Sequence, residues 1–302
     1  MNKRSDDPIS CPLGSGVGER IKIPQKKHNG MKIRQKDIKN IVKQKYDQIA
    51  KDSNRKNQSS CCGGSDCCSG EDYSVFNDDY SGLEGYNQEA DLGLGCGIPV
   101  YYADLRRGDT VLDLGSGAGN DCFVARSMVG DVGFVYGLDF SKKMVTKARK
   151  NAIRMGYENM KFLLGEIEAM PLNDNTADKV LSNCVLNLVP DKSSAFAEVF
   201  RVLKPGGSFC ISDVVTIGDL PEPVLKSAEL YAGCVAGAVS REAYLDIIKK
   251  TGFSDIQVHK EKQIVLPDEM LSKFLSSEAL EAFKSSIRGI YSITVFAKKS
   301  KG

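Results

Sequence analysis

The stretch "TVLDLGSGAGNDCF", residues 110–123, constrains the fold more than any other part of this chain. An apolar, strand-like run leads directly into three glycines spaced G-x-G-x-G, and a helical pattern starts at once behind them. A buried strand that ends in a glycine turn and opens a helix is the first half of a βαβ unit. The same alternation continues downstream. "GFVYGLDF" reads as a strand and "SKKMVTKARKNAIRMGY" as a helix opened by Ser141. "MKFLLGEIEAM" and "ADKVLSNCVLNLV" supply two more strands. "SSAFAEVFRVL" is a helix stopped by "KPGG" before the strand "SFCISDVV". Strands separated by helices predict an α/β fold with a mostly parallel sheet. "DIQVHKEKQIVL" and "YSITVFAKKS" read as the last two strands, and residues 218–254 as a mostly helical insertion.

The turn is also a candidate ligand site. Glycines there let a ligand approach the backbone, and the helix N-terminus offers unpaired N–H groups. Asp139 ends the second strand, where a carboxylate can accept both hydroxyls of a ribose. The spacing is not the G-x-G-x-x-G of a dinucleotide fingerprint. A glycine loop alone is often only a tight turn; strand, loop, helix, strand and terminal Asp together are far more specific.

"VLDLGSGAG" with "GLDFS", and "LKPGG" before a strand, resemble the class I S-adenosylmethionine-dependent methyltransferases over roughly residues 105–215. The resemblance implies a Rossmann-like, doubly wound, mostly parallel seven-stranded sheet. It implies Gly115, Ser116, Gly117 and Gly119 at the methionine end of the cofactor, Asp139 on the ribose, and Gly165, Glu166 and Ile167 beside the adenine. Asp113 and Asn183 are carried over as further cofactor-binding residues. For Glu166 and Ile167 an ordinary strand exit is the competing reading.

The chain has 302 residues, ten cysteines and only two histidines, His28 and His259, which argues against a histidine-based triad or metal site. No apolar run approaches the roughly 20 residues that span a bilayer. "MNKRSDDPIS" lacks the apolar core of a signal peptide. A cytoplasmic setting is therefore expected, where thiols are mostly catalytic, redox-active or metal-binding. Net charge is +2, yet residues 1–60 carry 15 lysines and arginines against 6 acids. With almost no aromatic interleaving, this reads as a solvated tail, so neither a nucleic-acid nor a membrane partner is expected.

The cysteines select the chemistry. Ligands of open α/β sheets sit beyond the carboxyl ends of the strands. Cys184 ends the fourth strand and so should face the cofactor crevice. Cys96 in "LGLGCGIP" and Cys234 in "YAGCVAGA" are flanked by small residues that permit close approach. Cys122 and Cys210 read as small core residues. Neither Cys96 nor Cys234 makes a C-x-x-C, so a zinc ribbon is poorly supported. Three thiols from three remote segments could form a trigonal S3 site for a soft acceptor. Trivalent arsenic takes three sulfurs in a pyramid and keeps a lone pair.

"LGLGCG", "DLGSGAGNDCF", "SNCVLNLVPDK", "RVLKPGG" and "YAGCVAGA" together resemble the arsenite S-adenosylmethionine methyltransferases over about residues 36–260. By this resemblance Cys96, Cys184 and Cys234 are the arsenic-binding, catalytic thiols. "IVKQKYDQIA" looks like the family's N-terminal helix and places Tyr46 near the cofactor. The family's N-terminal redox cysteine falls on Cys67 or Cys68 of "CCGGSDCC", which also holds Cys61 and Cys62. Methylation oxidises arsenic, and a disulfide formed with a ligand cysteine returns two electrons. A thiol reductant of thioredoxin or glutathione type would reset it. Arsenite capture or an adventitious metal clamp are the other readings of that cluster.

The expected activity is transfer of methyl groups to arsenite and then methylarsenite, serving arsenic detoxification, by a monomer. A small-molecule C- or O-methyltransferase and a non-catalytic thiol-based metalloid sensor are the alternatives. The expected organisation is a disordered basic tail (1–35), an N-terminal helix and cysteine-rich loop (36–92), a cofactor-binding domain (93–216) and an arsenic-binding region with the last two strands (217–302).

Overall fold

The computed structural model describes residues 39–50 (41 and 45 excepted), 78–218 and 237–301 (266–267, 273–274 and 287–288 excepted). The readings of the tail, of Cys61, Cys62, Cys67 and Cys68, and of Cys234 lie outside the described residues.

A helix over residues 39–50 (α1) precedes the sheet. A 3-10 turn, Pro99–Tyr102, leads into β1 (Thr110–Leu114), α2 (Asn120–Val129), β2 (Phe134–Asp139), α3 (Lys142–Arg154) and β3 (Met160–Leu164). Then come β4 (Ala177–Asn183), α4 (Lys192–Val202), β5 (Leu203–Ile217), α5 (Arg241–Thr251) and β6 (Phe253–Ile264). Two short helices, α6 (Asp268–Leu271) and α7 (Ser277–Lys284), precede β7 (Gly289–Lys299). The strands form one seven-stranded sheet in the order β3-β2-β1-β4-β5-β7-β6. The first five pair in parallel, and β7 runs antiparallel between β5 and β6. The mostly parallel sheet expected from the alternation, and the doubly wound seven-stranded arrangement that the resemblance implies, are both observed.

The alternation of side chains along β1 builds both faces. Val111 points to a cluster with Phe123 of α2 and Ala148 of α3. Leu112 and Leu114 point to the opposite cluster, with Phe196 of α4 and Tyr244 of α5. Such two-sided burial explains why the strand is apolar throughout. Ser141 caps α3 by accepting the Met144 N–H at 3.2 Å, as read from the sequence, a contact worth about 1 kcal/mol.

Two features differ from the sequence reading. "KPGG" does not separate helix from strand. It lies inside β5, where the pairing with β4 slips between Ala177 and Lys179, and Gly206 takes φ +80°. One strand bulges there, which a turn-like tetrapeptide permits. Second, α6 and α7 sit between the last two strands, where no helix was read. Their residues Leu271 and Leu280 join a third apolar cluster, with Val42 of α1, Cys96, Cys184, Val214 and Ile264. Among the described residues no helix is long and apolar enough to cross a membrane.

Candidate functional site

The carboxyl ends of β1, β2 and β4 border a two-lobed crevice. The first lobe, about 760 Å³ of empty space, lies over the β1–α2 turn. The turn is shaped by left-handed backbone at Gly115 (φ +67°), Gly117 (φ +52°) and Gly119 (φ +102°). Only Gly117 faces open space; a Cβ there would meet nothing within 4 Å. A Cβ on Gly115 would come within 2.4 Å of Val185, and one on Gly119 within 2.8 Å of Phe123. Gly119 thus lies behind the turn, whereas Gly115, Ser116 and Gly117 line the lobe.

Asp139 stands at the junction and lines both lobes. Its carboxylate accepts the N–H of Gly117 at 3.0 Å and of Ser141 at 2.8 Å. Burial still pushes its pKa up to about 6 against those two bonds. Ser116 Oγ and Asn120 Oδ1 line the first lobe and are buried with no hydrogen-bond partner among the described residues. Buried polar atoms of this kind call for a polar ligand. The cradle that an open glycine leaves, a carboxylate with lone pairs to spare and these two orphaned atoms fit a nucleoside bearing an amino-acid end.

The second lobe, about 530 Å³, runs along Gly165, Glu166 and Ile167, the residues assigned beside an adenine. Phe140 borders both lobes, and Tyr46 of α1 meets its ring edge-on at 6.5 Å. The helix is held in place by Lys39, which pairs with Glu166 (2.6 Å) and Glu168 (2.9 Å), and by Asp47, which accepts the Ser141 hydroxyl at 2.6 Å. Tyr46 is thereby brought to the lining of the first lobe.

Cys184 lines the first lobe just beyond β4, in left-handed backbone at φ +59°, its N–H donated to Ser212 O at 2.8 Å. Cys96 and Cys184, each 3 % exposed, belong to one apolar cluster. The other two described cysteines are core residues, as read. Cys122 donates to buried Asp113 at 3.2 Å, and burial pushes both thiols, Cys122 and Cys210, well above their ordinary range. Such thiols do not ionise near neutrality and make poor soft-metal ligands.

Several site residues were not foreseen. Asp121 lines the first lobe, half-buried, and desolvation pushes its carboxyl up to about 6. It accepts the Tyr80 hydroxyl at 2.6 Å and the Asn183 amide at 3.3 Å. Its place one residue into the helix after the glycine turn was the available signal; Tyr80, in an acidic segment, had none. Beneath the thiol cluster, Tyr244 donates to buried Asp213 at 3.0 Å, and burial pushes Asp213 up to about 7. The neighbouring Lys192 ammonium donates to the carbonyls of Asn187, Val189 and Gly237 at 3.1, 3.2 and 3.0 Å. It thereby ties the end of the Cys184 segment to the chain that returns at Gly237.

Residues 105–260 match a family model described as a methyltransferase domain. An arsenite methyltransferase of Halobacterium salinarum is 41% identical over 201 residues, covering 65% of this chain and 51% of that one. The human arsenite methyltransferase is 33% identical over 209 residues, covering 65% and 55%. The chain spans about half the length of these curated relatives. A crystal structure of an arsenic(III) S-adenosylmethionine methyltransferase from Chlamydomonas reinhardtii superposes with a TM-score of 0.59 at 35% identity, covering 69% of this chain and 68% of that one.

Proposed function

Since the chain belongs to the methyltransferase-domain family and, within it, to the arsenite methyltransferases, we propose that it transfers methyl groups from S-adenosylmethionine to trivalent arsenic. The observation that carries this reading is that Cys184 lines the glycine-lined crevice and shares one apolar cluster with Cys96. In this reading Ser116, Gly117 and Asn120 take the amino-acid end of the cofactor. Asp139 takes the ribose hydroxyls, and Gly165, Glu166 and Ile167 flank the base, with Tyr46 and Phe140 between the lobes. The cofactor supplies an electrophilic methyl group on a sulfonium.

Cys96, Cys184 and Cys234 exchange for the three hydroxides of arsenite; each thiol proton leaves as water. The arsenic lone pair is itself the nucleophile, so no general base is required, in keeping with two histidines in the chain. What the protein contributes is juxtaposition, which can be worth up to roughly 7–11 kcal/mol. Methylated arsenic is left pentavalent. A thiolate of the Cys61, Cys62, Cys67, Cys68 cluster then attacks the sulfur of Cys96. A disulfide forms, the arsenic–sulfur bond breaks, and its electron pair returns arsenic to the trivalent state. A cytoplasmic reductant of thioredoxin or glutathione type reopens the disulfide.

The test is direct. Purified protein with arsenite, S-adenosylmethionine and a dithiol should yield methylarsenic species by chromatography coupled to mass spectrometry. Cofactor turnover without methylated arsenic would overturn the reading in favour of a carbon or oxygen acceptor.

A pH dependence follows from Asp139. Its carboxyl titrates near 6 in the ligand-free protein, above the ordinary carboxylate range, so the folded state binds this proton more tightly than the unfolded state. The group's contribution to stability is present below the unfolded pKa and is lost as pH rises through about 6. Ribose hydroxyls favour the ionised acceptor, so cofactor binding works in the opposite sense. Affinity for S-adenosylmethionine should fall as pH drops below about 6, by up to tenfold per pH unit, with a proton released on binding. Calorimetry in buffers of different ionisation enthalpy measures both. Asp139→Asn should flatten this dependence, and a slope that survives it would place the titrating group elsewhere.

A further inference from the structure

The geometry points to Asn183 as a positioning residue for the Cys96 thiol, in place of the cofactor contact that the family resemblance implies. Asn183 is the last residue of β4, and Cys184 follows it directly. Its side-chain oxygen accepts the Cys96 N–H at 2.9 Å. Its side-chain nitrogen donates to Gly97 O at 2.8 Å and to the Tyr80 hydroxyl at 2.9 Å. One amide therefore brackets the Cys96 residue, gripping its own N–H and the carbonyl of the next residue. An asparagine NH₂ has two hydrogens. Here Gly97, Tyr80 and, at 3.3 Å, Asp121 compete for them. No donor is left over for the carboxylate of a bound amino acid.

The flanking glycines have their reason in this clamp. A Cβ on Gly95 would lie 2.7 Å from the Asn183 nitrogen. One on Gly97 would lie 2.5 Å from Ser212 Oγ, which is itself bonded to Thr294 at 2.8 Å. The Ser292 hydroxyl donates to the Cys96 carbonyl and completes the grip from β7. The Cys96 backbone is thus held against the residue that precedes Cys184, with Asn183 gripping it on one side and Ser292 on the other. Tyr80, buried and donating to Asp121, holds the amide in turn.

The inference rests on the proposed arsenic site for its consequence, and the experiment separates the two. Asn183→Ala removes the clamp, and Tyr80→Phe weakens it from a distance with little risk to folding. Three quantities are measured for each: the dissociation constant of S-adenosylmethionine, that of arsenite by equilibrium dialysis, and the alkylation rate of Cys96 by iodoacetamide, read by peptide mass spectrometry. Loss of a buried amide's bonds should accelerate Cys96 alkylation by about tenfold or more in Asn183→Ala and by less in Tyr80→Phe. Arsenite affinity should fall by about tenfold or more while cofactor affinity changes by less than about threefold. In a Cys96→Ser background, Asn183→Ala should have no further effect on arsenite affinity. Unchanged Cys96 reactivity, or a loss confined to cofactor affinity, overturns the clamp. Should Cys96→Ser alone leave arsenite affinity intact, the three-thiol site fails, and the alkylation rates still decide the clamp.

Discussion

Cys184→Ser should abolish methylation of both arsenite and methylarsenite, with S-adenosylmethionine affinity and the thermal midpoint close to those of the parent protein. The exchange replaces sulfur by oxygen at a residue that is 3 % exposed and held by its backbone to Ser212, so packing changes little. The donor chemistry changes completely. A serine hydroxyl stays protonated at neutral pH and is a hard ligand, whereas trivalent arsenic takes soft thiolates. In the proposed site, losing one of the two thiolates that both substrates would use, Cys184 and Cys234, would remove the substrate from the methyl donor. The rate should drop by roughly a thousandfold or more, equivalent to about 4 kcal/mol of transition-state stabilisation. Cys234→Ser should behave alike. Near-parental rates in either variant would exclude the three-thiol site.

Replacing Cys61, Cys62, Cys67 and Cys68 together by serine should separate the two substrates. In the proposed cycle arsenite would fill three exchangeable positions with thiolates, and after methylation the pentavalent product would stay chelated until a fourth thiol took a ligand sulfur. Without the cluster that step fails. Arsenite turnover should fall by on the order of a hundredfold, and the little product released should be pentavalent. Methylarsenite offers two exchangeable positions and engages two thiolates. Its dimethylated product can leave by hydrolysis, two waters giving the pentavalent acid, two thiols and a proton, with no reductant used. Its rate should hold within about threefold, the spread expected when a group outside the reacting pair is removed. Single-turnover and steady-state rates for both substrates measure this. Equal losses on both would end the selective redox role, and no loss on either would leave the cluster a metalloid trap.

These expectations draw on features of different legibility. The β1–α2 turn was readable because its determinants are local. Left-handed backbone at Gly115, Gly117 and Gly119 is a property of the residues themselves, and the apolar run before them pairs wherever a sheet forms. The capping role of Ser141 and the core character of Cys122 and Cys210 were readable for the same reason. Cys184 was assigned to the crevice by a rule of topology, which needs only the order of strands and helices. "KPGG" misled because a turn-forming tetrapeptide and a strand bulge have the same composition. The α6 and α7 segments were missed because helices so short carry too few turns for a period to be seen.

The alternation of elements, the glycine turn, the carboxylate at the end of β2 and the candidate thiols are all written in the order of residues. Which of these groups meet is settled only when the chain has folded. Asn183 reaches Cys96, Gly97 and Tyr80 across more than 80 residues of chain, and Tyr80 reaches Asp121. Lys192 joins the Cys184 segment to Gly237. The raised pKa of Asp139 likewise belongs to no motif, since burial at the end of β2, against the β1–α2 turn and the start of α3, creates it. Periodicity and φ are properties of neighbours in sequence. Hydrogen-bond partners and desolvation belong to groups that become neighbours only when the strand ends come together.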